Sequence, residues 1–239
     1  MAQTIGAILA TANRMIQATT QSAGSSHTAI GITDLMTSLA VIFILLFAVQ
    51  LTKTSSAPQS ELQENKENVQ AALSDHIQRL GLSLDADPRD PLALMIVVPE
   101  NLLTFDLGKS TLSPTADQFL EDALPFYVEA LCGPLRDKID SLAIEGHTDD
   151  QGSDAFNLKL SQERSLAVMV KGLEVIQATE PASYQCFQEI TSAAGRGKQD
   201  LIYDSIATVS REKSRRVIFK IRLRSAEQRQ LARIIHKSS

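Results

Sequence analysis

One carboxylate, Asp34, stands at the near end of an otherwise uncharged apolar run, and Thr37 and Ser38 follow it three and four positions on. On an α-helix those three side chains share a face. A carboxyl group beside two hydroxyls at such a place can take up and release a proton, which is the chemistry an ion path requires. A charged Asp near the middle of a membrane-spanning helix costs about 2.5–3.5 kcal/mol. It is retained there for a function, or it lies close enough to the helix end to reach water. Two readings therefore stand side by side: Asp34 as an ion-carrying group, and Thr33-Asp34 as an interfacial N-cap where the helix leaves lipid.

The element that must position these residues is Ile30–Leu51, IGITDLMTSLAVIFILLFAVQL. It has no charged side chain from Leu35 onward, and a bilayer-spanning helix needs roughly 20 apolar residues. A polar face turned to lipid is costly, so this helix is expected to pair with another protein helix along Asp34, Thr37 and Ser38. Ser55-Ser56-Ala57 loosely fits a signal-peptidase site. Pro58 behind it, the length of the apolar run and a leader with Arg14 as its one basic residue argue against cleavage. Arg14 and Lys53 flank the run and leave its orientation undecided.

The chain has 239 residues, 21% of them charged and 44% hydrophobic, with a formal net charge of −5. That balance fits one globular domain plus one anchor and excludes a polytopic transporter. Mild acidity gives no reason to expect nucleic acid as a partner. Residues 1–29 form an N-terminal segment to which no chemistry is assigned, and 30–51 the spanning helix. Residues 52–91 read as a linker, with an amphipathic helix over 59–82. Leu62, Val69, Leu73, His76 or Ile77, and Leu80 make a narrow apolar stripe there, suited to a two-stranded seam or to docking on another surface, with a solvated linker helix as the alternative.

From Leu92 the pattern changes to that of a mixed α/β domain over 92–225. Leu92–Val98 is a buried strand between two prolines. Ser113-Pro114 starts a helix that runs to about Leu131, with serine as cap and proline in the first turn. Ile139–Glu145 is a second strand, residues 146–152 a loop, and Ser153–Val175 a helix. A third strand is expected at Phe187–Ala194. In the last strand Val217, Phe219, Ile221 and Leu223 alternate with Lys220, Arg222 and Arg224. This order predicts a single α+β sandwich with its helices on one face. Residues 226–239 read as a short helical tail.

Several motifs in this region carry a resemblance. Thr104-Phe105-Asp106, Leu112-Ser113-Pro114, Ile144-Glu145-Gly146-His147-Thr148-Asp149, Gly152-Ser153-Asp154-Ala155-Phe156-Asn157, Leu160-Ser161-Gln162-Glu163-Arg164 and Ser214-Arg215-Arg216-Val217 look like the peptidoglycan-binding domain of the OmpA family. The resemblance covers about Leu92–Arg224. It implies that Asp149 and Arg164 hold the diaminopimelate group of a wall stem peptide, with Asn157 and Asp106 lining the same pocket. The chemistry agrees: a zwitterionic head needs a carboxylate for its ammonium and a guanidinium fork for its carboxylate. The bland alternative is an Asp149–Arg164 salt bridge that holds loop to helix. Many relatives carry a second Arg beside the ligand Arg, where this chain has Ser165. Arg211, Lys213, Arg215 and Arg216 read as a solvated rim of the last strand or a contact with acidic wall polymer.

Peptidoglycan lies outside the cytoplasm, where disulfides form, so Cys132 and Cys186 are expected to be bridged rather than separately buried. His147 has no second His or Cys at ligand spacing, so no metal and no cofactor are expected. No nucleophile–base pairing is visible either, and an enzyme is not expected.

Asp34-Leu35-Met36-Thr37-Ser38-Leu39 resembles the core of the B subunits of flagellar-type (MotB-like) stators. Ile30-Gly31-Ile32-Thr33 replaces the aromatic residues usual before that Asp, and the segment looks closer to the B subunit of the Zorya anti-phage system. The resemblance implies a homodimer whose two helices stand inside a pentameric ring of MotA-like A subunits, with protons passing through Asp34. It also implies a single-pass inner-membrane protein with a cytoplasmic N-terminus and a periplasmic C-terminal domain. A flagellar stator B subunit and a passive peptidoglycan tether of an envelope machine are the alternatives.

Overall fold

The computed structural model describes residues 36–49, 60–106 and 108–237. The chain divides into two compact units, Met1–Pro58 and Gln59–Ser239. In the first, residues 36–49 are helical, and Leu39, Phe43, Leu46 and Phe47 on that helix are exposed. Asp34 and the ends of the apolar run lie outside the described residues. Among the described residues no helix is long and apolar enough to cross a membrane.

The second unit is an α/β fold around a five-stranded mixed sheet in the order β1-β2-β5-β3-β4. Its strands are β1 (Leu84–Ala86), β2 (Ala93–Pro99), β3 (Ile139–His147), β4 (Thr191–Gly197) and β5 (Arg216–Leu223). β5 pairs antiparallel with both β2 and β3, while β3 and β4 run parallel. The register aligns apolar side chains in rows across the three central strands. Leu94, Ile221 and Leu142 make one row, and Ile96, Phe219 and Ile144 the next. All six are buried, which is what the period-2 pattern of β5 requires.

The helices are α1 (60–79), α2 (Pro114–Cys132), α3 (Asp154–Thr179), α4 (Tyr184–Ile190), α5 (Arg211–Ser214) and α6 (Ala226–Lys237). Ser113 Oγ accepts from the N–H of Ala116, and Pro114 occupies the first turn of α2. Ser153 does the same for α3, accepting from the N–H of Phe156. Both caps leave one fewer orphan donor at their helix ends.

Two expectations change. The 59–82 helix belongs to the domain rather than to a linker: Val69, Leu73 and Ile77 of α1 join the main core, and His76 stacks on Phe126 of α2 at 4.1 Å. Its narrow stripe is wide enough because a neighbouring helix covers it. Phe187 lies in α4, not in a strand. Phe187 and Ile190, three positions apart, both point into the core, as a helical turn demands. The strand begins afterwards, at Thr191.

The reason lies in how closely α3 approaches the sheet. A Cβ added to Gly146 would meet the carbonyl oxygen of Ser161 at 2.3 Å, and one added to Gly195 would meet the backbone nitrogen of Gln162 at 2.5 Å. β4 (TSAAGRG) is therefore made of small residues apart from Arg196 and gives no apolar alternation.

Cys132 and Cys186 form a disulfide, with S–S 2.07 Å and Cα–Cα 5.9 Å. It ties the end of α2 to α4, the segments that lead into β3 and β4.

Candidate functional site

Strand register creates the site. Pro99 of β2, Arg216 of β5 and His147 of β3 lie side by side at one end of the sheet. The next residues outward are therefore Glu100, Arg215 and Thr148-Asp149. α3, docked on the glycines of β3 and β4, brings Arg164 to the same end. Phe105 and Lys109 come from the segment before α2.

Asp149 is buried and doubly held. Its Oδ1 accepts from the N–H of Gln151 at 3.0 Å, and its Oδ2 accepts from Nη1 of Arg215 at 2.8 Å. Arg215 also donates through Nε to Glu100 at 2.5 Å. Burial opposes charge on Arg215, but the two carboxylates outweigh it and raise its pKa. The alternative reading, an Asp149–Arg164 salt bridge, is not what forms; Asp149 pairs with Arg215, which also pairs with Glu100.

Arg164 is in the opposite condition. It is 7% exposed, its Nε donates to the carbonyl of Lys109 at 3.0 Å, and its guanidinium carbon lies 4.8 Å from the centre of the Phe105 ring. Among the described residues, no carboxylate comes within ion-pairing distance of it. Burial lowers its pKa; Glu100 and Asp149 act in the other direction from further off. A sheltered guanidinium over an aromatic face, with no carboxylate at ion-pairing distance among the described residues, has the geometry to accept one.

His147 is neutral. Burial, with Arg216 nearby, lowers its pKa to about 4. Its Nδ1 lies 3.2 Å from the carbonyl oxygen of Gln199, which can only accept, so Nδ1 carries the hydrogen. Nε2 is then a lone-pair acceptor without a hydrogen-bond partner among the described residues, 3.9 Å from Glu145. Together Glu100, Phe105, His147, Arg164 and Arg215 line a crevice of about 10 Å³, about the room one water needs.

Asn157 is buried and donates to the carbonyl of Gln151 at 2.5 Å, fixing the turn that carries Asp149. Gly152 in that turn has φ +83°, which glycine adopts at no cost. Asp150 beside it pairs with Arg211 at 2.7 Å. Asp106 is more exposed, with Lys109 at 3.6 Å as its ionic neighbour. The structure thus sets Arg164 in the crevice wall, joins Asp149 to the same wall through Arg215, holds the Asp149 turn with Asn157 and leaves Asp106 exposed. Ser165 is fully buried and donates to the carbonyl of Gln162. Thr37 and Ser38 lie on the exposed helix 36–49. Among the described residues no cluster of His, Cys, Asp and Glu could hold a metal ion.

Glu100 and Arg215 have no counterpart among the expected site residues; Arg215 reads from sequence as solvated rim. The signal was available in strand pairing, since each follows or precedes a residue in register with His147.

Residues 104–215 match the family model described as OmpA family, and the chain carries an OmpA-like domain. In structure it is similar to a MotB-like protein from Desulfovibrio vulgaris, with 22% identity over 70% of this chain and 97% of that one and a TM-score of 0.48. It is similar to the periplasmic domain of Helicobacter pylori MotB (16% identity, 66% and 89% covered, TM-score 0.46). The cell wall anchor of the T6SS from Pseudomonas aeruginosa is a third (18% identity, 65% and 97% covered, TM-score 0.43). A curated sequence that matches is photosystem I P700 chlorophyll a apoprotein A2 of Gloeobacter violaceus, 35% identical over 96 residues. Those cover 37% of this chain and 10% of that protein, so the chain spans about a tenth of the curated relative's length.

Proposed function

We propose that this chain is the wall-anchored, ion-conducting B subunit of a proton-driven membrane motor of the Zorya anti-phage type, gripping peptidoglycan through its OmpA-like domain. Arg164 forks onto the carboxylate of a diaminopimelate head, and Asp149 accepts from its ammonium. Asn157 holds the Asp149 turn in place, and Asp106 lies at the rim. The observation that carries the wall-binding half is Arg164, a sheltered guanidinium without a carboxylate partner among the described residues. The Cys132–Cys186 disulfide supports an oxidising compartment, hence a periplasmic domain on a single-pass inner-membrane anchor with a cytoplasmic N-terminus.

The motor half rests on the sequence. Asp34 is the single carboxylate of the apolar run, and its segment resembles stator B subunits. Two copies of this chain stand inside a ring of five A subunits, protons pass via Asp34, and the ring turns around a dimer fixed to the wall. No catalysis is assigned to the chain itself; it conducts ions and bears force.

Asp34→Asn tests this half, because asparagine mimics the protonated acid. In cells carrying the complete system, the variant should accumulate normally and abolish protection against phage. Full activity of Asp34→Asn would make the chain a passive tether instead.

A further inference from the structure

We propose that Arg215 is a built-in stand-in for the ligand's ammonium group, occupying Asp149 until a wall peptide displaces it onto Glu100. This rests on the wall-binding reading of Asp149 and Arg164.

Arg215 uses different nitrogens for its two partners, Nη1 for Asp149 and Nε for Glu100. It can therefore release one carboxylate and keep the other. Asp149 cannot follow it, because Gln151 fixes the other carboxylate oxygen. When Arg215 swings away, Asp149 Oδ2 is left a buried acceptor without its cation. Room points the same way: the crevice that Arg215 helps to line has space for one water, about 10 Å³, so an amino-acid head enters only if a lining residue moves.

The two halves of the site thus differ in what a ligand must do. At Arg164 nothing has to move, since no carboxylate is paired with it among the described residues. At Asp149 the ligand must compete with an internal cation. A lone carboxylate gains Arg164 and leaves Arg215 in place; only a ligand that brings an ammonium as well takes the whole site. Arg215 and Glu100 are positioning residues in this scheme, one blocking Asp149 and the other receiving the blocker.

The test is a calorimetric titration of free meso-diaminopimelate into the full-length protein in detergent, beside Arg215→Gln and Glu100→Gln. Glutamine at 215 keeps hydrogen-bond donors and loses the charge. That variant should bind about tenfold tighter, as when the ligand-competent arrangement is populated one time in ten and the competitor is then removed. Glu100→Gln should bind several-fold more weakly, because Arg215 then rests on Asp149 alone. Opposite signs are the signature. Equal or weaker binding by Arg215→Gln, or both variants moving in one direction, overturns the proposal. Should Arg215→Gln fail to fold, Arg215→Lys, too short to span both carboxylates, must still bind tighter than wild type. Sedimentation of the wild type with purified sacculi separates the two levels. If wild type pellets and the variant signs fail, this inference falls alone; if wild type neither pellets nor binds, the wall-binding reading falls with it.

Discussion

Where β2 and β3 end and β5 begins, the sheet carries Glu100, His147, Asp149 and Arg215. Where β3 and β4 begin, it is fed by segments joined through Cys132 and Cys186 and packed on Phe187 and Leu131. Among the described residues the first end holds a guanidinium with no carboxylate at ion-pairing distance, a histidine nitrogen without a hydrogen bond and a cation shared between two carboxylates. The second holds apolar side chains and a covalent tie. Groups kept in such unfavourable arrangements lower stability, and the well-packed opposite end compensates. The division shows where to look for binding and where for strength.

Changing the residue that joins the two ends should have the largest effect. Gly146 lies on the last row of the sheet before His147, pressed against the backbone of Ser161. Gly146→Ala forces strand and helix apart, at a cost of roughly 4 kcal/mol, beyond ordinary overpacking because both clashing partners are backbone-fixed. Thermal denaturation should show it as a large drop in Tm, with the site lost alongside.

Opening the covalent tie should have a smaller effect and a different character. Cys132 and Cys186 are 54 positions apart, and replacing both by alanine should cost roughly 3 kcal/mol, somewhat below the ~4 kcal/mol that loop closure in the unfolded chain would give in full. Urea unfolding should report that loss while sacculus binding of the folded fraction stays at the wild-type level. Impaired binding in the folded fraction would mean that the two ends are coupled.

Acid should act on the site end. The pKa of His147 in the folded protein, about 4, lies below its ordinary 6.5, so the unfolded chain binds the extra proton more readily between those values. Stability is complete above pH 6.5 and falls as pH drops towards 4, by roughly 2 kcal/mol at pH 5. Asp87 and Asp200, whose pKa values are also lowered, add to the loss at still lower pH. In His147→Gln the slope between pH 6.5 and 5 should flatten; an unchanged slope would assign it to other groups.

What the sequence disclosed follows the same division. Alternation in β5 and the Ser113-Pro114 and Ser153 caps are local signals, and they fixed their elements to within a few residues. β4 escaped because close packing of α3 leaves no space for the β-branched side chains that mark a strand. α1 was visible as a helix, but its membership of the core depends on α2 lying beside it. At the site, Asp149 and Arg164 were legible through ordered motifs. Arg215 and Glu100 were not, since they meet across 115 positions of chain and only the pairing of β2 with β5 brings them together.

The most direct test of the account is co-sedimentation of the protein with purified sacculi, comparing wild type with Arg164→Ala at matched folding by circular dichroism. Arg164 is paired with no carboxylate among the described residues, so its loss should leave the fold intact. Wild type should pellet with the wall and Arg164→Ala should remain in the supernatant. If the variant pellets as well as wild type, the sheltered guanidinium is not the wall-binding group and the account is contradicted.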